Sequence, residues 1–599
     1  MKFETFLSFR RTFAASGIGV LTEYLLLAAT GAFCAVIFPA VNWSIFAWFT
    51  LIPLFLALRN TSGCGAFLRG LTWGWFWSFC SFFWLREIAI PLPFVLAFVL
   101  GLFPAFWAVI TNFLWKNLAW DPILRLKGAE IRDQQIPFAS VPLAFLFLFA
   151  STSAWCILEW IRGWIATGLP WNYLGTALWK NLPFIQICEF TGIFGVSFLI
   201  AFFNLALVLS AIQLIAGLRQ KKYSRPYPLF AALLMIAGNI LLGMHLFKAN
   251  APEKIKTKSE AVGMVQCDMS QRRFATEDQA KEALSVCIDL SEKMLKENEK
   301  FKNIIPTDGT PDRSLKLIIW PETAVPYAYA GGSPVAEEYR AKLGALIDRF
   351  HIPFLIGSID FQVYPRPNGK TDYDVFNAAL LINRSGGSIA DRYYKIHRVP
   401  FGEYVPWGDE FPILTKLTGM GRNLAPGTRF HPIEILPGVR AGVSICYESV
   451  FPKISRGHVL NGANLLLIIS NDAWYPTSSE PDQHFVNGLF RAIETRLPLL
   501  RSGNSNYSVL ISPRGEILDS LPKKGTDPAV RTRAAGIFHV PVPLEHKPTF
   551  YTIHGNLFIG LCGIFLLCAL IKAFVNWMIF RKAQVNAEFY RNAMKDGVR

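Results

Sequence analysis

Charge is what this chain has least of. Only 17% of its 599 residues are Asp, Glu, Lys or Arg, against about 25% in an ordinary soluble domain. Apolar residues make up 52% and aromatics 14%, the composition of a membrane protein or of a fusion containing one. Disulfide and metal frameworks are also missing from the pattern. Of ten cysteines, Cys34, Cys64, Cys80, Cys156, Cys188, Cys562 and Cys568 lie in apolar segments, where a thiol serves as a small core hydrophobe. Cys267, Cys287 and Cys446 remain. Three thiols without a CxxC make no disulfide framework. No two histidines stand three to five residues apart, which excludes a zinc helix of the HExxH kind. No metal or other cofactor is expected.

A basic stripe interleaved with aromatics is absent too. The formal net charge is +16, but residues 250–550 hold 36 Lys/Arg against 33 Asp/Glu. The basic excess lies between the apolar runs, where membrane orientation signals are found. Nucleic acid is not an expected partner.

Long apolar runs are what the chain does have. A bilayer core takes about 20 such residues in a helix. Runs at 17–38, 41–58, 66–85, 89–115, 138–161, 184–216, 227–247 and 556–580 predict about eight spans. Lys2, Arg10 and Arg11 precede the first, which is read as an uncleaved span, since further runs follow and no small-x-small site ends it. With the N-terminus cytoplasmic, alternate loops carry clusters such as Lys116, Arg125, Lys127 and Arg132, or Arg219, Lys221, Lys222 and Arg225. The opposite loops carry Arg86, Arg162 and Lys180 alone. The positive-inside rule then puts the long insert between the seventh and eighth spans on the outer side. The expected organisation is a membrane domain over 1–248, an outer domain over 249–550, and a last span with a cytoplasmic tail over 551–599.

The insert alternates strand and helix patterns. EAVGMVQ, LKLII, PFLIGSI, NAALLIN, AGVSIC, NLLLIIS, YSVLIS and AGIFHV are short β-rich runs. Uninterrupted apolar strands such as NLLLIIS fit sheets buried on both faces. Residues 277–301 read as an amphipathic helix whose apolar face includes Ala280, Leu284, Cys287, Ile288 and Leu295. Cys287 is therefore read as core. The class is α/β, two sheets packed together with helices outside.

Three places put reactive residue types just past apolar strands. In LIIWPETAVP, Pro321 stops the ladder and Glu322 emerges beside Trp320, a setting for a general base. Alone, it reads more readily as a solvated loop glutamate. In YYKIHRVPFGEYVP, Lys395 has Glu403 close by among aromatics and prolines. A charged lysine in a dry cleft stabilises a developing oxyanion; a surface lysine between two strands is the plain alternative. In SICYES, Cys446 ends a strand, and alone it reads as buried core more readily than as a nucleophile. The segment GVSIC breaks the GxSxG pattern, so a serine nucleophile elbow fails.

Together these motifs resemble the nitrilase superfamily, with its Glu, Lys and Cys set. IIWPETA, KIHRVPFGEYVP, ICYESVFP and the segment 471–508, with the spans around the insert, most resemble the apolipoprotein N-acyltransferases. The resemblance implies an αββα sandwich, with Glu322 as base, Lys395 as oxyanion cation and Cys446 as nucleophile. It implies support from Glu403, Tyr447 and Glu448. It also implies an inner-membrane enzyme with a periplasmic catalytic domain, which moves a fatty acyl chain from a phospholipid, through a cysteine thioester, to the N-terminal diacylglyceryl-cysteine of an apolipoprotein. Departures fall at Cys267–Phe274, Arg398 and Asn504–Asn506. A membrane-tethered amidase would use the same three residues, and a non-enzymatic membrane scaffold would need none of them. The apolar loop 401–427, with Trp407, Phe411, Ile413, Leu414, Leu417 and Met420, reads as a lid at the membrane interface or as subdomain core.

Overall fold

A computed structural model describes residues 17–59, 61–119, 137–138, 140–222, 225–270, 276–301, 314–365, 371–384, 387–408, 410–413, 416, 423–522 and 527–596. The chain divides into two compact units, one of residues 1–179, 193–243 and 556–599, the other of residues 180–192 and 244–555.

The first unit is helical. Six described helices are long and apolar enough to cross a membrane, with cores at Gly17–Phe33, Leu92–Leu118, Val141–Arg162, Ile193–Arg219, Tyr227–Ala249 and from Leu557 onward. Three expected spans differ. The 66–85 run is the helix Gly63–Ser81, which is less apolar and is not among the six. The 41–58 run is a short turn of helix at Ser44–Trp48 followed by Ile52–Ala57. It is shorter than a spanning helix, and Pro53 sits at its second start. The 184–216 run is broken before Ile193, where Gly192 takes φ +60°.

Small residues let two helices of this unit touch along their backbones. A Cβ at Gly70 of helix Gly63–Ser81 would lie 2.6 Å from the Ala105 Cα, and one at Gly74 would lie 3.0 Å from the Gly101 Cα. Such contacts drive helix association where lipid removes the hydrophobic incentive. Polar side chains inside the unit find partners locally. Asn204 donates to the Ala47 carbonyl at 3.0 Å and accepts the Leu51 N–H at 3.0 Å.

The second unit holds two six-stranded sheets. The strands are β1 (Thr257–Gln266), β2 (Leu317–Ile319), β3 (Phe354–Pro365), β4 (Thr371–Ile382), β5 (Ile389–Tyr394), β6 (Ile433–Leu436), β7 (Val439–Ile445), β8 (Leu465–Ser470), β9 (Leu499–Gly503), β10 (Val509–Ile511), β11 (Ile517–Ser520) and β12 (Ala534–Pro543). Their order is β12-β1-β2-β3-β4-β5 in one sheet and β11-β10-β9-β8-β7-β6 in the other. Each sheet centres on three parallel strands, β1-β2-β3 and β7-β8-β9, with antiparallel neighbours.

One apolar core joins the sheets, with Met264, Ile319 and Leu355 packed with Val443, Ile445 and Leu467. A second lies outside the first sheet, under helices α1 (Glu277–Asn298) and α2 (Pro334–Phe350). Helices α3 (Pro452–Leu460) and α4 (Glu480–Thr495) belong to the other sheet's half of the chain, giving helices and two sheets as expected. The segment 180–192 is held here by Arg496, which pairs with Glu189 at 2.8 Å and donates to the Gln186 Oε1 at 2.6 Å.

Candidate active site

Strand ends build the site. β2 stops at Ile319, and Trp320 and Pro321 carry the chain to Glu322. β5 stops at Tyr394, directly before Lys395. β7 stops at Ile445, and Cys446 turns the chain with φ +51° into a short helix, Cys446–Val450. A non-glycine residue in that left-handed region costs on the order of 1 kcal/mol or more and persists only where its surroundings hold it.

The three expected residues come together. Lys395 Nζ lies 2.9 Å from Glu403 Oε1 and 3.4 Å from Glu322 Oε1. Lys395 is 1% exposed, which removes the surface-lysine reading, and Glu322 is 6% exposed, which removes the solvated-loop reading. Burial lowers the proton affinity of Lys395, but the carboxylates of Glu403 and Glu322 outweigh it and hold the ammonium charged. Burial pushes the Cys446 thiol well above its usual value; Glu322 pushes it the same way and Lys395 pulls it back. The glutamate and the lysine therefore both lie within electrostatic reach of the sulfur.

Glu448 organises the turn at Cys446. It is fully buried, and its carboxylate accepts the N–H of Ile445 at 2.8 Å, of Ile396 at 2.6 Å and of His397 at 2.9 Å, with the Tyr393 hydroxyl at 3.0 Å. It thus ties the Cys446 strand to the Lys395 strand. Burial raises its pKa to about 7 against those donors. Tyr447 stands beside it, half-buried, its ring 5.0 Å from that of Phe451 and 5.7 Å from that of His397. Glu403 is fixed as well, accepting the Val399 N–H at 2.7 Å.

Several site residues carry no motif of their own. Asn377, inside β4, donates to Glu322 Oε1 and Glu403 Oε1, each at 2.8 Å. Its signal is only an asparagine in an apolar strand. His484 Nε2 lies 3.0 Å from the Cys446 carbonyl and 3.0 Å from the Ser449 hydroxyl, and its Nδ1 lies 2.8 Å from Asp472 Oδ1. Arg501 holds the other Asp472 oxygen. Burial opposes ionisation of Asp472, but Arg501 and His484 hold its carboxyl well below the usual range. Donor atoms of Cys446, Asp472 and His484 lie within 4.8 Å of one another.

The departures are structured in part. Asn504 accepts the Asp268 N–H through its carbonyl at 2.7 Å, and its side chain donates to Asn471 Oδ1 at 2.9 Å. Asn471 in turn donates to the Glu322 carbonyl at 3.4 Å. Arg398 donates to the Leu424 carbonyl at 2.6 Å and lies over the Tyr404 ring. Phe274, Leu414, Leu417 and Met420 lie outside the described residues.

The facing sheets define a carbon-nitrogen hydrolase fold, and the family model of that name matches residues 262–532. A second model, the apolipoprotein N-acyltransferase N-terminal domain, matches residues 30–206. The apolipoprotein N-acyltransferase of Geobacter metallireducens is 28% identical over 90% of this chain and 93% of its own length. That of Allorhizobium ampelinum is 29% identical over 91% of this chain and 94% of its own. The chain is similar to these enzymes along most of its length. A solved carbon-nitrogen hydrolase from Helicobacter pylori is 17% identical, covers 52% of this chain and 95% of its own, and superposes with a TM-score of 0.31.

Proposed function

We propose that this protein is a phospholipid-dependent N-acyltransferase that acylates the N-terminal diacylglyceryl-cysteine of apolipoproteins. The observation that carries the reading is the convergence of Glu322, Lys395 and Cys446, with Glu403 on the lysine. Glu322 takes the thiol proton of Cys446, and the thiolate attacks an ester carbonyl of the phospholipid. Lys395 balances the oxyanion. When the tetrahedral adduct collapses, the lysophospholipid oxygen leaves with the proton from Glu322, and the acyl chain stays on sulfur as a thioester. The α-amine of the acceptor, neutral in part near pH 7.7–8.0, then attacks the thioester. Glu322 collects its proton, Cys446 is released and an amide remains.

The catalytic domain is assigned residues 249–550, between a membrane domain over 1–248 and the last span and tail over 551–599. The basic residues of the cytoplasmic loops support a periplasmic position for it, in a bacterial inner membrane. Trp407, Phe411 and Ile413 are exposed apolar side chains on the loop after Glu403. They support its role as a lid that meets the lipid interface and keeps water from the thioester. No cofactor takes part.

Mass spectrometry of the full-length protein incubated with phospholipid alone tests the reading. A fatty-acyl adduct on the peptide containing Cys446, discharged to an amide when a diacylglyceryl peptide is added, is the expected result. Discharge to free fatty acid, with no amide in the presence of the peptide, would replace the transferase by an amidase-type hydrolase.

A further inference from the structure

Two of the outer-domain cysteines have no part in this chemistry, and they meet. Cys267 is the residue after β1, and Cys287 faces inward from α1, twenty positions on. Their sulfurs lie 2.7 Å apart and each is the other's hydrogen-bonding neighbour. Both residues are fully buried, within the apolar cluster that includes Val265, Leu284, Trp320 and Tyr339. Such a site offers a thiol nothing to react with except the other thiol. It also shields a bond, once formed, from reductants in solution.

We propose that Cys267 and Cys287 form a disulfide as the domain folds. The two thiols give up their hydrogens, two electrons and two protons in all. These pass by thiol–disulfide exchange to a protein or small-molecule disulfide, which leaves as two thiols. The S–S bond closes before β1 and α1 pack, while the sulfurs are still accessible. An oxidising compartment supplies such an oxidant, so the state of the pair in cells also depends on the outer placement proposed for this domain.

The bond bears on the site through a short chain of contacts. The residues after Cys267 are held by Asn504, through its carbonyl at Asp268 and its side chain at the Met269 N–H, 3.3 Å away. Asn504 bonds Asn471, and Asn471 bonds the Glu322 carbonyl. The cross-link therefore pins to α1 the strand end from which the loop of the general base is braced. The sequence departs from its family's pattern at this same Cys267.

The test is differential alkylation of the full-length protein. Cells are quenched in acid, denatured, alkylated with one maleimide, reduced and alkylated with a second of different mass. Cys267 and Cys287 are expected to carry the second label and the seven cysteines of the apolar segments the first; Cys446 is scored apart, because an acyl thioester blocks it from either label. In parallel, the chain is made by cell-free synthesis in detergent with glutathione disulfide present. If both thiols carry the first label in that product, the pairing is wrong. If they are oxidised there but reduced in cells, the pairing stands and the outer placement is overturned.

Discussion

Lys395 is bound more tightly to Glu403 than to Glu322, at 2.9 Å against 3.4 Å. The glutamate eight residues downstream therefore neutralises the ammonium, and in the proposed mechanism Glu322 keeps the looser contact that a proton acceptor needs. Substituting the two should have different consequences. Glu322→Gln removes the acceptor for the Cys446 proton, so both acylation of Cys446 and amide formation should disappear. Glu403→Gln leaves that acceptor in place but frees the ammonium to swing, a loss of oxyanion stabilisation on the order of 100-fold in rate. Single-turnover acylation of Cys446 reads both. Equal loss in the two variants would show that Glu403 is not confined to holding the lysine.

His484 meets Cys446, the proposed nucleophile, at its backbone carbonyl. Its Nε2 meets the Cys446 carbonyl, and Asp472, itself gripped by Arg501, fixes the ring. Losing one such hydrogen bond costs about 1.5 kcal/mol, or about tenfold. His484→Ala should slow both acyl transfer and alkylation of Cys446 by iodoacetamide by about that factor, and His484→Gln should restore part of each. Alkylation at the wild-type rate in His484→Ala would remove the histidine from the account.

Much of this is legible along the chain, for a physical reason. Glu322, Lys395 and Cys446 each follow an apolar strand, and a continuous apolar run is the strongest local signal a buried strand offers. The runs at residues 260–266, 315–319, 353–359 and 464–470 correspond to β1, β2, β3 and β8. β5, β6 and β11 give no such signal, because IADRYY, IEIL and ILDS are short and carry charged residues. Asn377 is invisible as a site residue in the sequence, and Asp472 and His484 lie in the segment 471–508 without being singled out there, since their contacts come from strands and helices distant along the chain. Helical spacing puts Cys287 on a core face of α1, where the structure has it, but nothing local to either cysteine indicates that Cys267 faces it.

Glu448 makes folding stability depend on pH. Its carboxyl rises from an ordinary 4.5 to about 7 in the folded protein because it is buried. The folded state therefore holds the proton more tightly than the unfolded chain. The stabilisation from this group is complete below pH 4.5 and is lost as pH climbs to about 7. Its size is on the order of 3 kcal/mol. Glu448→Gln, which cannot ionise, should lower the thermal midpoint at every pH, through its mismatched amide, and should flatten the fall across this window. The check is a series of melting curves of the detergent-solubilised protein. Midpoints of wild type and variant that run parallel across the window would contradict the assignment.

The two helices Gly63–Ser81 and Leu92–Leu118 meet where a side chain has no room. Gly70→Val would drive methyl groups into the Ala105 and Pro104 backbone, since even a Cβ there lies 2.6 Å from both. Forcing such atoms apart costs roughly 1–3 kcal/mol. Gly63, where an added Cβ would meet nothing within 4 Å, offers the matched control. The detergent-solubilised Gly70→Val protein should melt several degrees lower than Gly63→Val. Indistinguishable midpoints would mean that the helices part readily and that this contact carries little of the unit's stability.

The loop after Glu403 presents Trp407, Phe411 and Ile413 to the outside, each more than half exposed. Exposed apolar side chains of this size are costly in water and favourable at a lipid interface, about 1.5–3 kcal/mol for each one fully buried. Partial insertion should therefore contribute roughly tenfold in apparent affinity per residue. Trp407→Ser and Phe411→Ser should raise KM for phospholipid in mixed micelles by about that factor. Among the described residues neither side chain contacts the reacting groups, so iodoacetamide should still reach Cys446 at the wild-type rate. If instead KM holds and the alkylation rate falls, the loop is packing that supports the site, and the membrane-facing lid must be given up.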